Sequence, residues 1–161
     1  MLFTAYRLTI CLAVAMLVAL APLVHAQDGA AEKAQLKSYV LDAGKVNRYI
    51  AALNALAMAK TSDPAIGREY EQMENEPAGT LANMRASVAR HPRMLAFFQR
   101  QMLTADDAVM IPMVITMVGV AASVPGQVAD MVSQSQINFV NANGPLMERF
   151  EQANEALEGS Q

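Results

Sequence analysis

The sequence predicts an all-α fold, a compact irregular bundle of six to seven helices around a central apolar helix at about 105–122. Three observations predict it. Apolar residues recur three and four positions apart through most of the chain after residue 40. Cap and proline signals punctuate those stripes at short intervals. No segment shows the strict apolar–polar alternation of a half-buried strand.

The elements follow in order. Residues 27–34 are polar and Ala-rich, and the stretch 27–40 is expected to be a flexible lead-in to a single helical domain over 41–161. Asp42 is the expected N-cap of a helix over about 43–60, whose Val46, Ile50, Leu53 and Ala57 form one stripe. Ser62-Asp63-Pro64 supplies a cap followed by proline at the first helical position, and that short helix stops before Asn75-Glu76-Pro77. Thr80 opens a helix with Leu81, Met84 and Val88 on one side. His91-Pro92 ends it and starts the next, which carries Leu95, Phe98 and Met102.

Thr104-Ala105-Asp106-Asp107 has the form of a capping box, with Asp in place of the usual Glu. The helix it opens has no charge from Ala108 to Ala122 and is expected to be buried on most sides, with a kink at Pro112. Its length falls short of a bilayer span. Two segments at about 126–133 and 135–142 follow. Asn143-Gly144-Pro145 then starts a last helix with Leu146, Phe150, Ala153 and Leu157 on one stripe.

The N-terminus has the pattern of a cleaved signal peptide over residues 1–26. Arg7 supplies positive charge, an apolar run over 8–24 is broken only by Thr9 and Pro22, and Val24-His25-Ala26 offers small residues for cleavage between Ala26 and Gln27. The expected destination is periplasmic or secreted, with membrane contact only through the leader before cleavage. Cys11, the single cysteine, lies within that leader after Ile10, which does not suit lipidation. The remaining chain has no thiol, so neither a disulfide nor a cysteine metal site can form in it. None of its eight asparagines sits in an Asn-x-Ser/Thr acceptor, which favours a bacterial periplasm.

Composition narrows the function. The whole chain is 53% hydrophobic, but residues 1–26 contribute 21 apolar residues. The other 135 residues contain 65, about 48%, the ordinary level of a globular domain. They carry 11 basic against 15 acidic side chains, a net charge of −4, which excludes a basic nucleic-acid binder.

Few chemistries remain open. His91 is the one histidine after residue 26, so a serine triad would have to use it, and its place at a helix junction favours a capping role instead. The glycines are scattered, without a phosphate loop, and no spacing fits a zinc or calcium site. No catalytic constellation is found, and a non-enzymatic role is expected.

Two features point to binding. Glu69, Glu71, Glu74 and Glu76 form an acidic run, expected as a solvated helix face. Arg85, Arg90, Arg93 and Arg100 follow in a stretch with no acid between Thr80 and Leu103. These arginines either pair with the preceding glutamates or, with Phe97 one turn from Arg93 and Arg100, form a patch for an anionic partner. Met110, Met113 and Met117 share one helix face by their spacing. They pack the core or, with His91, ligate copper(I) or haem as the alternative reading. A Met-lined groove beside Pro112 and Gly119 would also suit an apolar small molecule or a partner protein. The expected function is that of an exported helical binding or protein-interaction module, with no cofactor in the leading reading and copper or haem in the alternative.

Overall fold

The computed structural model describes residues 26–77, 79–123 and 130–159. Residues 1–25 of the expected leader, Cys11 among them, and residues 126–129 of the segment expected at 126–133 lie outside the described residues. Among the described residues there are eight helices and no strand. They are α1 (Ala26–Ser38), α2 (Ala43–Ser62), α3 (Pro64–Glu74), α4 (Leu81–Arg90), α5 (Pro92–Arg100), α6 (Ala105–Ser123), α7 (Gln134–Ala142) and α8 (Gly144–Glu158).

The cap signals act as the sequence predicts. The side chains of Asp42, Asp63 and Thr80 accept from backbone N–H groups of the first turns of α2, α3 and α4. Proline stands at the start of α3, α5 and α8. At α6 the capping box closes in both directions, with Asp107 N donating to Thr104 Oγ1 at 3.0 Å and Thr104 N donating to Asp107 Oδ2 at 3.0 Å. The shorter Asp side chain therefore serves where Glu is usual.

α2 is the structural spine. It packs against α3, α5, α6 and α8, and most closely along α8. Val46 and Ala52 are fully enclosed on it. Tyr49 lies between the rings of Phe98 on α5 and Phe150 on α8, with centroids 5.5 and 5.7 Å away. Lys60 binds the far end of the same assembly. Its ammonium donates to Leu157 O at 3.0 Å and stands 4.4 Å from the centroid of the Tyr70 ring on α3.

α6 meets α1, α2, α4, α5 and α7, and Ile111 and Val114 on it have no exposed surface. The burial expected on most sides is seen, with only Ala122 and Ser123 fully exposed, but it is uneven, and 39% of the most apolar window is fully buried. Pro112, Met113, Ile115, Gly119 and Val120 are half-buried, since neighbours cover one flank of the helix more fully than the other. The length expectation also changes. The helix runs 19 residues without a break at Pro112, and by length and composition it reaches the minimum for a membrane crossing.

The expected flexible stretch 27–40 is corrected too. Ala-rich sequence has high helix propensity, and α1 is anchored to the body by specific side chains. Leu36 is buried. Glu32 Oε1 accepts from Leu81 N at the start of α4 at 2.8 Å, and Gln35 Oε1 accepts from Arg85 at 2.9 Å. Gln136 completes the attachment from α7. Its amide nitrogen donates to Leu36 O and Tyr39 O, both at 2.7 Å, which satisfies carbonyls at the end of α1. Its Oε1 accepts from Ser133 N at 2.7 Å as part of a second capping box.

Asp107 is the other buried polar anchor. Besides Thr104 it accepts from the Tyr39 hydroxyl at 2.6 Å and pairs with Lys45 Nζ at 3.0 Å. It thus joins the start of α6 to the α1–α2 connection. Burial opposes its ionisation, but the bonds from Tyr39, Thr104 and Lys45 outweigh burial and hold the carboxyl well below the usual carboxylate range. The Tyr39 hydroxyl is pushed above its ordinary range by burial and by the same carboxylate.

Candidate functional site

The most chemically varied surface lies where α3 meets α5. A single residue, His91, separates α4 from α5, and Pro92 behind it disfavours helical backbone there. His91 adopts φ −107°, ψ 77°, which breaks one long helix into two. Its ring is turned inward and is 9% exposed.

Two carboxylates receive that ring. Nε2 lies 3.0 Å from Glu76 Oε1, and Nδ1 lies 4.0 Å from Glu69 Oε1. The tautomer with its hydrogen on Nε2 satisfies the shorter contact. His91 takes the capping position expected of it, as C-cap of α4, where its N–H donates to Val88 O, and N-cap of α5, where its side chain makes no cap bond. Glu69 supplies that function from α3. Its Oε1 accepts from Arg93 N at 3.2 Å, and its Oε2 lies 3.6 Å from Arg93 Nε. Arg90 pairs with Glu76 Oε2. Arg90 and then His91 hold the Glu76 carboxyl down, to about 2.

This network borders an open cleft of about 420 Å³. Arg68, Glu69, Gln72, Arg90, His91 and Arg93 line it, with Ala65 and Pro92 as its apolar contribution. Arg68 is exposed and has no ion-pair partner among the described residues. The sequence signal for it was weak. Arg68 stands on the acidic helix, one residue before Glu69, and outside the acid-free arginine stretch.

The predicted arginine patch divides into three settings. Arg90 and Arg93 lie at the cleft and pair with Glu76 and Glu69, the glutamates of the preceding segment. Arg85 faces α6 and α1. It pairs with Asp106 at 2.6 Å, bonds Gln35, and directs Nη2 to Met110 Sδ at 3.5 Å. Arg100 lies over the Phe97 ring, 5.4 Å from its centroid. Phe97 is only 9% exposed, so it belongs to the core and adds little to a contact surface. The acidic run divides in the same way, with Glu71 and Glu74 exposed and Glu69 and Glu76 half-buried in pairs.

The methionine set is placed on α6. Met110 and Met117 are buried, and Met113 is half-buried against the core. The Met110 sulfur takes the Arg85 contact, while both His91 nitrogens face carboxylates. These four residues therefore already have partners in packing or in ion pairs. Among the described residues no group of three or more His, Asp or Glu side chains is placed to hold a metal. No family model, curated protein or solved structure matches this chain.

Proposed function

We propose that the protein is exported and acts as a non-enzymatic binding module, meeting its partner through the arginine-bearing surface of α3, α4 and α5. The observation that carries this reading is the cleft itself. Arg68, Arg90 and Arg93 come to it from three different helices, and Arg68 stands unpaired there among the described residues. Arg90 and Arg93 side chains remain 58% and 57% exposed despite their pairs. Exposed pairs of this kind hold little energy and yield readily to a competing anion. The His91 ring faces Glu69 and Glu76, an arrangement that braces the α4–α5 joint. Export rests on the leader pattern over residues 1–26.

Native mass spectrometry of the protein recovered from the exported fraction tests both parts. The expected result is a chain starting at Gln27 that retains a partner, with occupancy falling in the Arg90→Glu, Arg93→Glu double variant. A chain retaining Met1 would overturn export. A partner whose occupancy ignores the double reversal would overturn this surface.

A further inference from the structure

We propose that the cleft between α3 and α5 binds a small oxyanion, the carboxylate or phosphate group of a ligand, with Arg68 and Arg93 as its principal anchors. The inference rests on the binding role proposed above and names the ligand chemistry of that surface.

The donors and acceptors in the cleft do not balance. Each carboxylate oxygen there already has a partner. Glu76 Oε1 meets His91 and Oε2 meets Arg90, while Glu69 Oε1 meets Arg93 N and Oε2 faces Arg93 Nε. The supply of donors is far larger. A guanidinium carries five N–H groups in a rigid fork. Arg90 and Arg93 each use a small part of that fork, and Arg68 has no acid within ion-pair distance among the described residues. Three guanidiniums thus stand against Glu69 in the lining and Glu76 at its border, leaving one positive charge uncompensated.

The chemistry of the excess selects the ligand. Guanidinium forks match the paired oxygens of carboxylate and phosphate, and they bind them bidentately. The Gln72 amide adds a further neutral donor at the same wall. The N-terminal amide of α5 at Arg93 is already taken by Glu69, so the side chains and not the helix end are the anchors. A volume of about 420 Å³ falls within the range of small-molecule sites. The mainly polar lining suits a charged group better than an apolar one.

The test is a titration of the isotope-labelled exported chain, followed by amide NMR, with sodium phosphate, sodium acetate and sodium chloride at matched ionic strength. Phosphate or acetate is expected to shift amides of Arg68, Gln72, His91 and Arg93 in a saturable way at millimolar concentration, with chloride leaving them in place. Which of the two oxyanions saturates first identifies the preferred group. Arg68→Glu, and the milder Arg68→Gln, should weaken that saturation by about tenfold or more for the charge reversal and less for the neutral change. Arg100→Glu, away from the cleft over Phe97, should leave it unchanged. Equal responses to all three salts, or saturation unaffected by Arg68→Glu, would overturn the proposal. In that event a retained partner sensitive to Arg90 and Arg93 would still uphold the broader binding role, so the two failures are separable.

Discussion

Two charged clusters in this protein use similar side chains to opposite ends. Around Asp107, one carboxylate gathers the Tyr39 hydroxyl, the Thr104 hydroxyl and backbone N–H, and the Lys45 ammonium. It is 8% exposed, and its contacts tie three parts of the chain together. Around His91, two carboxylates serve a histidine and two arginines whose own side chains are more than half exposed, beside a third arginine with no ion pair among the described residues. The first cluster is closed around its acceptor, with both Asp107 carboxylate oxygens occupied by hydroxyl, backbone and ammonium donors. The second is open, with donors in excess along a solvent-filled cleft. The first holds parts of the fold together, and the second is where the proposed binding role would act; the ratio of donors to acceptors separates them more clearly than net charge does.

Breaking the closed cluster should have the largest effect. Asp107→Ala removes a capping box and leaves Tyr39 and Lys45, both partly buried, without their acceptor. A loss of about 3 kcal/mol is expected, the cap accounting for roughly 1 kcal/mol and the stranded donors for the rest. Urea denaturation followed by circular dichroism measures it. A loss below about 1 kcal/mol would mean that water or a neighbouring group resatisfies those donors, and that the cluster is less closed than its geometry indicates.

Gln136 sharpens the same comparison with an uncharged group. It is 2% exposed and serves Leu36 O, Tyr39 O and Ser133 N at once. Gln136→Leu keeps volume but strands Tyr39 O and Ser133 N and leaves Leu36 O with the Tyr39 N–H alone, so a loss of about 2 kcal/mol is expected. Hydrogen exchange should show that loss first in α1, because Gln136 is the link from α7 to its end. Protection falling equally in α1 and α8 would show that α1 is held mainly by its other contacts.

Much of this fold was legible in sequence, and the reasons are local. Asp42, Asp63, Thr80 and Thr104 announce helix starts because a capping side chain and the amides it serves lie within three residues. The pairing of Arg90 and Arg93 with the preceding glutamates was readable from proximity along the chain. What lay hidden depended on distant partners. α1 looked like a loose tail because the residues that hold it are Leu81, Arg85 and Gln136, far along the sequence. Arg85 left the predicted patch because Asp106, beyond the acid-free stretch, lies closer in space than the glutamates. Arg68 escaped notice because a cation on an acidic helix looks neutralised until the directions of its neighbours are known. Ser133 and Gln136, by contrast, stood at capping-box spacing, and that signal was available.

The smallest effect is expected at the open cluster, and acid titration reveals it best. Glu76 has its folded-state carboxyl held near about 2 against an ordinary value of 4.5, chiefly by Arg90 and His91. A depressed carboxyl stabilises the fold where it is ionised in both states, and that contribution disappears as the native carboxylate takes up its proton. The contribution is therefore fully present above about pH 4.5 and is lost as pH falls toward 2. Glu76→Gln removes the charge at every pH. The variant should melt slightly below the parent at neutral pH, and the two melting temperatures should converge as pH falls through that window. Added salt should narrow the neutral-pH gap, because Arg90 is well exposed and its attraction to Glu76 is screened. A gap that stays constant from neutral pH down to the bottom of the window would place the role of Glu76 in packing. The cluster would then be a structural joint, and the distinction between a closed and an open region would fail at this residue.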